Sequence, residues 1–117
     1  MEDFLLSILD KYGYPVIRQG SLAANEPYPD TFFTFWSNNS YDGSHYDNKA
    51  ASVIWDWDVN LYSTDATKTY DLLTKVINDL KTNDFIISGY GHDLVSDEIT
   101  HTGRGVNVLY RQTNKED

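Results

Sequence analysis

The sequence predicts one α+β domain over residues 1–117, with a mostly antiparallel sheet of about five strands and two helices packed on one face of that sheet. Two segments carry apolar residues at helical spacing, and others alternate apolar and polar residues with a period of two. The connections are short and polar, as is typical of an antiparallel sheet with its helices on one side. A chain of 117 residues without a linker or internal repeat has the length of one domain.

The first helix is predicted over residues 2–12, where apolar side chains share one helical face and two acidic residues stand at the positive end of the helix dipole. Gly13 is the expected carboxy-terminal cap. A short strand over 14–18 and a loop over 20–30, which contains two prolines, are expected to follow.

Two strands are predicted before the second helix. Residues 31–36 are rich in aromatic and β-branched side chains. Residues 51–62 alternate most clearly, and both Trp55 and Trp57 fall on the apolar face. The polar segment 37–49 between the two strands is predicted to be the longest loop of the chain.

The second helix is predicted over residues 65–81, where a hydroxyl residue can cap the amino end and an apolar stripe follows at helical spacing. A strand over 85–90, a turn over 89–93 and a last strand over 105–111 are expected next. The polar tail over 112–117 is expected to fray.

The acidic charge of the chain limits its partners. Eighteen acidic and nine basic residues give a net charge of −9, which argues against wrapping nucleic acid or binding an anionic membrane. A basic protein partner, or a surface that must not adhere to DNA, agrees with this charge. There is no cysteine, and neither a secretion signal nor a membrane span is expected.

No motif predicts an enzyme, so no catalytic residue, cofactor or metal is expected. The sequence contains neither a nucleophile motif nor a phosphate-binding loop, and residues 103–105 are expected to form a turn. A metal site at His92 and His101 is weighed against a solvated polar loop, which is favoured. Asp56 and Asp58 are expected on the solvent face of their strand, with an acidic surface strip as the functional alternative.

Four segments stand out in order along the chain. They are YPDTFFTFW at 28–36, YDNK at 46–49 followed by VIW at 53–55, NLYSTD at 60–65, and SDE at 96–98 with THTGRG at 100–105. Together, over about residues 12–111, they resemble the tail terminator, tail-completion or tail-to-head joining proteins of long-tailed phages and prophages of Gram-positive bacteria.

This resemblance implies a virion structural protein of the tail or neck, present in the host cytoplasm before assembly. Such subunits form a ring, expected to be a hexamer, that caps the head-proximal end of the tail tube and joins tail to head. The implied partners are other copies of the chain, the major tail tube protein and the head connector or stopper protein. DNA passes through the lumen without specific binding, and no enzymatic activity is implied.

A protein interface is the one kind of site that the sequence predicts. The loop over 37–49 is expected to order against a neighbour, with two tyrosines as anchors, although it agrees equally with a flexible surface loop. The predicted interface residues are Trp36, Tyr41, Tyr46, Asp47, Asn48 and Arg104.

Three other functions stay open at the level of the sequence. The first is a head-side connector adaptor or minor capsid protein, which shares the size of a tail-completion protein. The second is an acidic immunity-type protein that binds a basic partner through carboxylates on one face. The third is a small hydrolase that uses His92, Asp97 and His101, and it requires these three side chains to converge.

Overall fold

The computed structural model describes residues 2–18, 28–38, 40–46, 49–96 and 100–113, and for 41–46 and 49–51 it describes the backbone. The described chain forms two helices and six strands. In chain order they are α1 (Glu2–Asp10), β1 (Val16–Arg18), β2 (Thr31–Ser37), β3 (Tyr41–Tyr46), β4 (Lys49–Ser63), α2 (Ala66–Thr82), β5 (His92–Leu94) and β6 (Thr102–Thr113). No described helix has the length and apolar character needed to span a membrane.

The sheet confirms the predicted α+β class. Five strands follow the order β1-β2-β4-β6-β5, and β3 pairs with β4 beside this path. Only the β1–β2 pair is parallel among the described strands. Both helices pack against the same face, where α1 and α2 share one apolar core with β2, β4 and β6.

Strand β4 sets the length of the molecule. Its 15 residues pair along one edge with β2 and then with β3, and along the other edge with β6. A strand of this length spans roughly 50 Å, at about 3.3 Å per residue. The molecule is 53 Å long and only 28 by 22 Å across. The β3–β4 hairpin therefore extends the sheet beyond the β2 end.

The core lies between the sheet and the helices. Trp57, Val59 and Leu61 on β4 are almost fully buried, which confirms the predicted alternation of this strand. Trp57 packs near Trp55 and Phe85, with ring centroids 6.1 and 6.3 Å away. The helices contribute the buried apolar residues Leu5, Ile8, Leu9, Leu73, Val76, Ile77 and Leu80.

The predicted hydroxyl N-cap of α2 is wrong, because the helix begins one residue later than predicted and a carboxylate caps it, whereas the predicted glycine follows the end of α1. Asp65 is the N-cap of α2, and its Oδ1 accepts hydrogen bonds from the backbone N–H groups of Thr67 (3.0 Å) and Lys68 (3.2 Å). After α1, Gly13 adopts a φ of 79°, which permits the left-handed turn expected of a carboxy-terminal cap.

A side-chain contact joins the two helices. The Tyr12 hydroxyl donates to Asp79 Oδ2 at 3.1 Å, and Lys11 Nζ lies 3.0 Å from the same oxygen. Burial, followed by the hydrogen bond to Asp79 and its negative charge, raises the pKa of Tyr12 to about 12. The carboxyl end of α1 is thereby held against α2.

The predicted loop over 37–49 is wrong in its central part, because 41–46 forms strand β3. Its polar composition is typical of a loop, but β4 continues beyond the end of β2 and pairs with this backbone. The register shifts within 42–45 are the irregularity expected of a strand poor in β-forming residues.

The predicted strand over 85–90 is also wrong. Only one β-bridge forms there, between Ile86 and Leu109, and positive φ angles at Gly89 (80°) and Gly91 (95°) turn the chain. The edge strand is instead β5, whose first two residues fall within the predicted turn. Pairing with β4 also extends β6 at both ends, so that 103–105 lies in a strand rather than a turn.

Candidate protein-binding surface

The sheet face opposite the helices, called here the open face, has no described element packed over it. Antiparallel partners point to the same side, so the register places its side chains in rows across the sheet. The first four rows are Phe32–Tyr62–Gly103–Leu94, Thr34–Asn60–Gly105–His92, Trp36–Asp58–Asn107 and Asp56–Leu109. The third row lies towards the β3–β4 hairpin.

The third row and the adjacent Asp56 combine an exposed aromatic ring with two carboxylates. Trp36 is 50% exposed and lies in register with Asp58. The Asn107 amide donates to Asp56 Oδ1 at 2.6 Å and to Asp58 Oδ1 at 3.1 Å. Asn38 Nδ2 also donates to Asp56 Oδ1, at 3.1 Å. These amides hold both carboxylates in fixed positions on the surface.

A groove of about 380 Å³ runs across the open face. Gly105 keeps part of its floor low, because a Cβ there would lie 2.3 Å from Asn60 Oδ1 and 2.8 Å from Leu94 Cδ1. The groove is lined by Trp36, Asn38, Asp58, Asn60, His92, Leu94 and Val106. It is a shallow surface with polar walls and one aromatic ring.

An aromatic cluster occupies the opposite end of the open face. Phe32 stacks on Tyr62 with ring centroids 5.3 Å apart, and His101 meets the edge of the cluster 5.9 Å from Phe32. His101 Nε2 lies 2.8 Å from the Pro29 carbonyl oxygen. Because a carbonyl oxygen only accepts, Nε2 carries the proton that makes this bond. His101 thus fastens residues 28–30 to the start of β6.

The hydrolase alternative requires histidines that converge, and the structure separates them. His92 lines the groove on the open face, whereas His101 lines a second depression beside α2, with Tyr70 and Arg104. Asp97 lies outside the described residues. Within the described part of the chain, no three His, Asp or Glu side chains are grouped so as to hold a metal ion.

Arg104, a predicted interface residue, points away from Trp36 towards α2. Its Nη1 pairs with Asp93 Oδ1 at 2.8 Å, and its Nη2 donates to the carbonyl oxygens of Tyr90 and Gly91 at 3.3 and 3.2 Å. The guanidinium also lies 4.9 Å from the centre of the Tyr70 ring. With 17% of its side chain exposed, Arg104 holds the turn before β5 against the sheet.

The other predicted interface residues lie near the hairpin. Tyr41 and Tyr46 are the first and last residues of β3, and Asp47 and Asn48 lie outside the described residues. The structure therefore places Trp36 and Tyr41 on successive strands along the same edge of β4. It does not bring Arg104 to them.

Sequence reasoning missed the contribution of Asn107. The alternation of β6 predicts that this side chain faces away from the core, but its position between two carboxylates depends on the pairing of β6 with β4. Comparison with known proteins adds no further residue to the surface: no protein-family model matches the chain, and no curated protein matches it significantly.

Proposed function

We propose that this chain is a structural subunit of a phage or prophage neck that forms a ring, caps the head-proximal end of the tail tube and joins the tail to the head. The observation that carries the proposal is the open face, where a half-exposed tryptophan lies on a sheet that the helices cover on one side only. Exposed tryptophans of this kind commonly anchor protein interfaces. The resemblance of the four segments selects the kind of assembly.

The shape of the subunit agrees with contacts to more than one neighbour. A ring is built from heterologous contacts, in which each subunit uses two different patches. The open face and the β3–β4 hairpin are two such patches, and the 53 Å length of the molecule separates the hairpin from the far end of the sheet. Other copies, the tail tube protein and the head connector or stopper protein are the partners of this proposal.

The charge of the chain also supports the proposal. A net charge of −9 repels the phosphate backbone, so DNA would move through a ring of such subunits without binding to it. The carboxylates of Asp56 and Asp58 contribute to this charge, and amide donors hold them in place.

Deletion of the gene from its phage, followed by electron microscopy of the lysate, tests the function. Overlong tails that are not joined to heads would support tail termination. Tails of normal length beside unjoined heads would instead support the head-side adaptor, and normal joined virions would overturn both assignments.

Complementation of the deletion with variants distinguishes the loss of an interface contact from a general effect of removing an exposed aromatic ring. Trp36→Ala is expected to restore few joined virions, because it removes the exposed ring of the open face. Tyr70→Ala is the matched control, since Tyr70 is 55% exposed but lies on α2. If both variants restore joined virions fully, the open face is not the interface of the assembly.

A further inference from the structure

The groove on the open face has an unusual distribution of charge. Asp58 lines it and Asp56 lies one row away, whereas none of its described lining residues is a lysine or arginine. The same Asn107 amide nitrogen donates to both carboxylates. An amide is neutral, so it orients the two negative charges without compensating them. A cation placed here would be attracted by both.

Trp36 restricts which cation fits. Its ring is half exposed, lines the groove and lies in register with Asp58, so a bound cation can contact the ring and the carboxylate together. Guanidinium is planar, stacks on aromatic rings and donates two parallel hydrogen bonds to a carboxylate. An ammonium group is compact and strongly hydrated, and it cannot form this paired geometry.

None of the described residues that line the groove is an arginine, so the subunit does not fill the groove with a guanidinium of its own. The chain contains three arginines. Arg18 pairs with Glu2, Arg104 pairs with Asp93, and Arg111 Nε donates to Ser52 Oγ at 3.3 Å. Each arginine therefore already has an acceptor in its own subunit, and a second copy would present the same engaged side chains. These contacts favour a cation from a different protein.

We propose that the groove binds an arginine side chain on a basic segment of a different protein. The guanidinium stacks on Trp36 and donates to Asp58, while Asp56 adds a second negative charge nearby. The surrounding amides of Asn38 and Asn107 keep the carboxylates oriented in the free protein, which reduces the entropy lost on binding.

Nuclear magnetic resonance on the full chain tests the proposal. The probe is an acetylated and amidated Gly-Arg-Gly-Arg-Gly peptide, and its control has citrulline, a neutral analogue of similar shape, in place of each arginine. The Trp36 indole N–H is assigned with Trp36→Phe. We expect this signal to shift in a saturable way with the arginine peptide, with affinity about tenfold or more above that of the citrulline peptide. Added salt should weaken binding.

Matched variants then locate the site. Asp58→Asn, followed on the Trp36 indole, should weaken the arginine peptide about tenfold or more. Trp36→Ala, followed on the backbone amide of Asn107, should weaken it about threefold to tenfold. Asp71→Asn is the control, because it removes the same charge from an exposed position on α2. Circular dichroism confirms that each variant is folded.

Three results would overturn the proposal: equal affinity for the citrulline peptide, equal affinity for a lysine peptide, or Asp58→Asn binding as tightly as Asp71→Asn. The proposal does not depend on the phage function. Peptide binding is measured on the isolated chain, whereas the neck function is tested by tail length and joining.

Discussion

Replacement of Gly105 by alanine tests the close packing that shapes the open face. The backbone tolerates alanine, since φ at this residue lies outside the left-handed region. The added Cβ would, however, lie 2.3 Å from Asn60 Oδ1 and 2.8 Å from Leu94 Cδ1, so both side chains have to move. Asn60 is held in part by a hydrogen bond from its Nδ2 to Thr34 Oγ1 at 3.3 Å.

The expected cost follows from two opposing effects. Overpacking in a well-packed site costs roughly 1–3 kcal/mol. Alanine recovers roughly 0.4–1 kcal/mol by reducing the conformational freedom of the unfolded chain. We therefore expect Gly105→Ala to lower the free energy of unfolding by about 1–2 kcal/mol.

A double-mutant cycle measured by urea unfolding checks the cause. Asn60→Ala removes the oxygen nearest to the new Cβ, whereas the end of the Leu94 side chain can rotate away. In the Asn60→Ala background, Gly105→Ala should therefore cost less than about 0.5 kcal/mol, with an unchanged dependence on urea concentration. The same cost in both backgrounds would refute the steric explanation.

Three further changes test the helices. Tyr12→Phe should cost about 1 kcal/mol at neutral pH, because it removes the hydrogen bond to Asp79. Since folding raises the pKa of Tyr12 from 10.0 to about 12, its stabilisation is present below pH 10 and is lost as the pH rises towards 12. A urea midpoint that stays higher for the wild type than for the variant above pH 12 would contradict this. Asp65→Ala should lower the free energy of unfolding by about 1 kcal/mol, because it removes the N-cap of α2. Asp71→Ala, at an exposed position of the same helix, is its control and should leave the urea midpoint almost unchanged. Leu73→Ala should cost about 2–5 kcal/mol by leaving a cavity in the core, and thermal unfolding with an unchanged midpoint would contradict it.

The success and failure of the sequence predictions have one physical explanation. The stripe of α2 and the alternation of β4 are periodic over many residues, and each places an apolar face against the core whichever strands become neighbours. The sequence of strand β3 has no such periodic signal. This segment becomes a strand because it pairs with β4. The bridge at Ile86 and the edge strand β5 likewise depend on where β6 lies.

The candidate surface divides in the same way. Local alternation is enough to place Asp56 and Asp58 together on the polar side of β4, because alternate residues of a strand point to the same face. The position of Asn107 between them follows from the pairing of β6 with β4, which joins residues about 50 positions apart along the chain and is not visible in local periodicity. The tertiary structure also places both helices on one face and leaves Trp36 exposed on the other, because strand pairing and layer packing are long-range properties that local periodicity does not specify.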